Sequence, residues 1–241
     1  MHQESSIENH DESYFASFTD MLVGIIFIFI ILLMIVANDF QEATDAVTKV
    51  NESRDQVLWE IEKSLKDAGV QVTIDIEQGV LRLPEDILFE FGKYEVNAKG
   101  KKALKTLSDV LEKFLPCISV TDDQSHQESC DQLNLASKDG LDAVFIEGHT
   151  DSIGSHERNW ELSAKRAISV FREVTDDSPF LNEGIKNTKG VPVINVSGYE
   201  ARRPITAEPK EFKLNRRIEL RFIMRSPTPE DVKKLKDAVG K

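Results

Sequence analysis

Lysine and arginine are absent from the residues that precede the chain's long apolar run, and this removes the usual guide to membrane orientation. Met1 to Ser13 carries Glu4, Glu8, Asp11 and Glu12 instead. The missing basic residues also tell against a cleaved leader. So do an apolar run, Met21 to Ala37, that exceeds the roughly 7 to 15 residues of a signal core, and the lack of an A-x-A site after it. No cysteine lies near the run, which argues against a lipoprotein anchor, and no second stretch of spanning length follows. Basic residues elsewhere form only short clusters, Arg202-Arg203, Arg216-Arg217 and Lys233-Lys234. With a net charge of -12, they give nucleic acid nothing to bind. G-x-S-x-G, H-E-x-x-H and C-x-x-C patterns are missing as well, so His149, Asp151, His156 and Glu157 compose no known hydrolytic or metal centre. Neither an enzyme nor a bound metal or organic cofactor is expected.

What remains, in 241 residues of which 40% are hydrophobic, is room for one membrane anchor and one globular domain. At about 1.5 Å per residue, Met21 to Ala37 nearly spans a hydrocarbon core of about 30 Å, and Tyr14 to Asp20 completes the length. A helix over 14–37 is predicted, after a tail over 1–13. Asp20 sits just inside it, where a carboxylate costs roughly 2.5 to 3.5 kcal/mol at the helix centre and so marks an ion or proton path. The alternative is an interfacial Asp capping the helix start. Tyr14-Phe15, placed as an aromatic belt, favours an earlier start.

Residues 38–69 read as a helical linker without proline. Phe40, Ala43, Val47, Val50, Val57 and Ile61 form a near-heptad stripe that Arg54 interrupts, and Gly69 closes the helix. The stripe suits either weak parallel pairing of two copies or a single amphipathic helix lying on a membrane or partner surface. From Val70 the period becomes two. Val70, Val72, Ile74 and Ile76, a Glu77-Gln78-Gly79 turn, then Val80, Leu81 and Leu83 predict a hairpin. Helices follow over 98–115, with Ala103, Leu104, Leu107, Val110, Leu111 and Phe114 inward, and over 157–174, burying Leu162, Ala167, Val170 and Phe171. Strands are expected over 143–146, 193–196 and 218–223. The fold class is an α/β domain over 70–226, with helices on one face of a small mixed sheet, and a tail over 227–241 in which Thr228 to Val239 suits a short amphipathic helix. Cys117 and Cys130 flank a polar stretch resembling a surface insertion. They are either two free thiols or, in an oxidising compartment, a disulfide closing that loop.

Gly148-His149-Thr150-Asp151-Ser152-Ile153-Gly154, Asn159, Leu162-Ser163 and Arg166-Ala167 together resemble the signature of the OmpA-like peptidoglycan-binding domain. Ile87-Leu88-Phe89-Glu90-Phe91, Gly198-Tyr199-Glu200 with Pro204, and Asn215-Arg216-Arg217-Ile218-Glu219-Leu220 extend the likeness over about 70–224. The resemblance implies that Asp151 accepts the ammonium, and Arg166 the carboxylate, of diaminopimelate in a peptidoglycan stem peptide. It further implies that Asn159 and Leu162 shape the pocket while Asn215 and Arg217 brace it. Because peptidoglycan lies outside the inner membrane, the resemblance places the N-terminus in the cytoplasm and the domain in the periplasm, where a Cys117–Cys130 bridge is chemically reasonable.

A membrane Asp in Phe18-Thr19-Asp20-Met21-Leu22-Val23-Gly24, a helical linker and such a domain are similar to the MotB-type subunit of ion-driven stators. That likeness implies a homodimer inside a ring of MotA-like polytopic subunits, five copies around two of this chain, with Asp20 carrying H+ or Na+ and with Ser17, Thr19 and Gly24 beside it. The acidic tail, the Ile- and Phe-rich span and the Cys-bearing loop depart from flagellar MotB. They look more like the MotB-like subunit of the Zorya anti-phage defence system. A flagellar stator role and a passive peptidoglycan tether are the alternatives.

Overall fold

A computed structural model describes residues 5–123, 125, 127–133, 135, 138–176, 178–226 and 228, with the backbone alone for 5–14, 16 and 129. Residues 1–4 of the expected tail and nearly all of the expected C-terminal helix lie outside the described residues. The chain divides into two compact units, and Thr48–Ser226 is the larger.

Helix α1 runs over Ser5–Asp67. Its stretch from Met21 to Val36 presents large apolar side chains outward on every face, and one helix among the described residues is long and apolar enough to cross a membrane. Asp20 lies well inside this helix, not at its start, so the capping alternative does not apply. Thr19 Oγ1 donates to the carbonyl of Phe15 at 2.7 Å, which is how a helical hydroxyl satisfies itself where water is scarce.

The last part of α1 belongs to the folded domain, which corrects the expectation of a separate linker ending at residue 69. Val57, Leu58, Ile61 and Leu65 are fully buried and join the main core, and Val50 is buried too, whereas Phe40 and Val47 of the same sequence stripe are exposed. Arg54, which breaks the apolar pattern, is held by the domain. Its Nη2 donates to Asp55 Oδ1 at 2.6 Å and to the carbonyl of Ile76 at 2.9 Å, in the turn of the following hairpin. Gly69, at φ 79°, ends the helix in a left-handed conformation that suits glycine.

Strands β1 (Thr73–Asp75) and β2 (Val80–Pro84) form the predicted antiparallel hairpin. A short α2 (Glu85–Leu88) precedes α3 (Ala98–Phe114), which is capped by Asn97 accepting from the Gly100 N–H at 2.8 Å. The small helix α4 (Gln127–Asp131) follows, then β3 (Leu141–His149), α5 (His156–Thr175), β4 (Ile194–Gly198) and β5 (Arg217–Met224). The five-stranded sheet has the order β1-β2-β5-β3-β4, antiparallel except for the parallel β3–β4 pair. Pairing on both sides makes β3 longer than its short apolar core suggested. Cys117 and Cys130 form the disulfide rather than two free thiols, and both are buried against the core although they flank a polar stretch.

Leu162, expected on the buried face of α5, is only half-buried, and Ser163 is fully buried. The reason is how closely this helix approaches the sheet. A Cβ on Gly148 would lie 2.0 Å from the carbonyl oxygen of Ser163, and one on Gly198 would lie 2.8 Å from the Ala164 nitrogen. Only glycines opposite a small helical residue allow the contact. Gly148→Ala is expected to push α5 off β3 and destabilise the domain by about 3 kcal/mol, read by chemical denaturation of the detergent-solubilised chain. Wild-type stability in this variant would mean that the approach is not tight.

Candidate functional site

The turn after β3 brings the signature residues together. Asp151 is buried, and its Oδ1 accepts the Ile153 N–H at 3.0 Å, folding the turn back on its own carboxylate. Asn159, in the first turns of α5, is also buried and donates from Nδ2 to the carbonyls of Asp151 at 3.1 Å and Ile153 at 3.2 Å. It therefore holds the loop rather than facing outward. A second brace comes from Glu200, the one described non-glycine residue with positive φ, at 54°. Its N–H donates to Ser163 Oγ at 3.2 Å, its carbonyl accepts from Thr150 N at 3.0 Å, and its carboxylate lies 2.7 Å from His156 Nδ1. These contacts fix an otherwise disfavoured backbone between α5 and the signature turn.

Arg166 is 2% exposed. Its Nε donates to the Lys93 carbonyl at 2.9 Å and its Nη2 to Glu85 Oε1 at 2.7 Å, and its guanidinium lies 5.1 Å from the centre of the Phe89 ring. Asp151 pairs instead with Arg216, whose Nη1 donates to Asp151 Oδ2 at 2.7 Å. Arg216 Nε also lies 3.0 Å from Glu85 Oε2, an ion pair without hydrogen-bond alignment. The two residues singled out in the sequence thus share one charged chain, Arg166–Glu85–Arg216–Asp151, linked through two residues to which sequence reasoning gave no role. Arg216 belongs to the closing motif Asn215 to Leu220, which is its signal in the sequence. Glu85 follows Pro84 with none. Burial, opposed by Glu85, lowers the pKa of Arg166, and the neighbouring charge of Arg216 lowers it further. Arg216 is 24% exposed and lies 5.9 Å from the ring centre of Phe91, which is 82% exposed. The solvent side of the cluster is therefore a guanidinium beside an aromatic ring. This is an arrangement suited to a small zwitterion or carboxylate.

Asn215 and Arg217 brace the neighbouring loop. Asn215 Oδ1 accepts from Ile205 N at 2.8 Å and Thr206 N at 3.1 Å, while Arg217 Nη2 donates to the Arg203 carbonyl at 3.1 Å. Arg217 also belongs to a second charge network. The register of β3 on β5 sets Glu147 directly opposite Glu219, a like-charge pair that would repel if left alone. Arg221 takes Glu147 through Nε and Nη2, both at 2.9 Å, and Arg82 and Arg217 take Glu219 Oε1 at 2.8 and 2.7 Å. His149 lies 3.3 Å from Glu219 and 3.6 Å from Glu147, stacked on Tyr199. Ligand atoms of Glu147, His149 and Glu219 come within 4.8 Å of one another, a spacing that a metal ion would accept. Three guanidiniums already neutralise the carboxylates, so a divalent cation would meet like charge there. His149 and His156, grouped with Asp151 and Glu157 in sequence, take different carboxylate partners.

Burial alone would raise the Glu219 carboxyl, but contacts from His149, Arg217 and Arg82 outweigh it and hold the group well below the usual carboxylate range. Glu147 is lowered in the same way by His149 and Arg221. Both pKa values are depressed on folding, so the stability they add is present above the ordinary carboxylate pKa of about 4.3. It is lost as pH falls from there toward the folded values. Urea unfolding midpoints should drop steeply below about pH 4.3. Glu219→Gln should cost about 3 kcal/mol near neutrality and flatten that acid dependence, and an unchanged acid slope would remove Glu219 as its source.

A sequence profile of the OmpA family matches residues 117–217. Outer membrane porin F of Pseudomonas aeruginosa is 29% identical over 163 residues, and outer membrane protein A of Serratia marcescens is 26% identical over 167. These matches cover 64% and 68% of this chain but 36% and 37% of the relatives, so the chain spans about a third of their length. Among solved structures, the cell wall anchor of the T6SS from P. aeruginosa is similar at TM-score 0.44 and 18% identity, covering 71% of this chain and 99% of that one. The periplasmic domain of Helicobacter pylori MotB gives 0.44 and 17%, with the same coverage. A putative MotB-like protein from Desulfovibrio vulgaris gives 0.43 and 19%, covering 77% and 98%. The chain accordingly carries, behind a long apolar helix, an OmpA-like α/β domain built on a mixed five-stranded sheet.

Proposed function

We propose that this chain is the peptidoglycan-anchored, ion-conducting subunit of a MotA/MotB-type motor in a bacterial inner membrane. The observation that carries this reading is one polypeptide with two features. It has a carboxylate, Asp20, exposed on an apolar helix of spanning length, and an OmpA-like domain with an aromatic-flanked cluster of two arginines and two carboxylates. In this reading the domain binds the diaminopimelate end of a stem peptide in the periplasm, the N-terminus is cytoplasmic, and two copies sit within a ring of polytopic partners. Asp20 then takes up and releases H+ or Na+ at the partner interface, where desolvation beside a water path lets its charge change at modest cost. The acidic tail, the Ile- and Phe-rich span and the disulfide-bearing insertion favour a Zorya-like anti-phage motor over a flagellar stator.

Two measurements test the two halves separately. Asp151→Asn should weaken co-sedimentation of the full chain with isolated sacculi by about tenfold, the scale of one charged hydrogen bond. Equal sedimentation would take wall binding away from this cluster. Phage plating on cells carrying the native operon should show protection that vanishes with Asp20→Asn at unchanged membrane levels. Equal protection from both proteins would favour a passive tether, and none from either would favour a flagellar or other transport role.

A further inference from the structure

We infer that Glu85 is a specificity-determining residue of the wall-binding cluster, acting as a built-in competitor for the carboxylate of the ligand. The inference rests on the peptide-binding reading of that cluster. Glu85 is placed by the sheet itself. Pro84 pairs with Arg217 at the end of the β2–β5 ladder, and the Glu85 N–H donates to the Arg216 carbonyl at 3.2 Å. From that fixed backbone its buried carboxylate spans both guanidiniums, with Oε1 2.7 Å from Arg166 Nη2 and Oε2 3.0 Å from Arg216 Nε. Oε2 is enclosed yet makes no aligned hydrogen bond. A carboxylate is thus already present where a ligand carboxylate would bind, and it is held there less than fully satisfied.

The accessibility of the two arginines gives this its consequence. A ligand arriving from solvent meets Arg216 beside Phe91, whereas Arg166 is 2% exposed and its Nη2 is committed to Glu85. A ligand carboxylate that takes Arg166 Nη2 must share or displace Glu85, and it feels the Glu85 charge even while it rests on Arg216. Asp151, whose Oδ1 holds the Ile153 N–H and whose Oδ2 holds Arg216, is the acceptor that a ligand ammonium shares with Arg216 in this reading. With Glu85 and Asp151 against Arg166 and Arg216 the free cluster is electrically balanced, so it favours a ligand carrying both charges over a simple anion. Removing the Glu85 charge leaves two guanidiniums facing one carboxylate and rewards the ligand's carboxylate directly.

The test is calorimetric titration of the full chain in detergent with two soluble muropeptides. One carries diaminopimelate; the other carries lysine at the same position, which keeps the ammonium and lacks the carboxylate. Glu85→Gln is expected to bind the diaminopimelate peptide about tenfold tighter, the worth of one charge-assisted contact, with the lysine peptide changed by less than about twofold. A merely structural role for Glu85 would move both peptides alike. Equal or weaker binding of the diaminopimelate peptide by Glu85→Gln overturns the inference. If the variant does not fold, the wild-type chain decides. Its Glu85 carboxyl carbon and Arg216 Nε–H resonances should shift when the diaminopimelate peptide is added, and an unmoved Glu85 signal at saturation overturns the inference. Absence of any binding by the wild-type chain overturns the peptide-binding reading and this inference together. Loss of binding in Asp151→Asn with unaltered affinity in Glu85→Gln overturns only the role given to Glu85.

Discussion

The close approach of α5 to the sheet at Gly148, Gly198 and Ser163 is the constraint on which the site depends. Gly148 lies three residues before Asp151, and Ser163 lies three before Arg166. Locking those two backbones together therefore fixes both charged residues at once. The Ser163 hydroxyl strengthens the lock by accepting from Glu200, and Glu200 in turn accepts from Thr150, so strand end, helix and following turn behave as one unit. A larger residue at any of these positions would need the helix to move, and interiors packed at crystal-like density have little room for that.

Around this lock the domain buries an unusual amount of charge, and it does so in two separate ways. The Glu147–Glu219 network is closed. Its carboxylates are met by arginines, which offset their cost of desolvation, and its histidine is stacked on Tyr199 with both ring nitrogens lacking an aligned hydrogen bond. Such a network adds specificity of register as much as stability, since a one-residue slip of β5 would turn Arg217, Glu219 and Arg221 into the apolar core. The Asp151–Arg216–Glu85–Arg166 cluster is open at one end. Arg216 and the exposed Phe91 leave a guanidinium edge and a ring toward solvent, and this openness distinguishes the cluster from the closed Glu147–Glu219 network.

Much of this architecture was legible in the residues, for reasons that can be named. The period-two run after Val70 gave the hairpin, the apolar face of 98–115 gave α3, and the signature turn located Asp151. Each depends on contacts within a few residues along the chain. Expectations failed where the deciding partner was distant. The stripe in 38–69 suits a second copy or a membrane or partner surface by its spacing, yet its later half packs on the domain. Arg54, which looked like a break in the pattern, is held by the carbonyl of Ile76. Leu162 yielded the buried face of its helix to Ser163 because Gly148 and Gly198 came from other strands. Sequence spacing could not show that Cys117 and Cys130 would be buried.

By itself the sequence determined that one apolar helix carries an aspartate and that an α/β domain with an Asp- and Arg-bearing signature follows, because hydrophobic length, periodicity and turn chemistry are local properties. Tertiary structure alone decided which charges meet. Glu85, Arg166 and Arg216 are brought together by the register of β2 on β5 and the seating of α5 on the sheet. Those pairings join residues far apart in the chain, and no local pattern specifies them.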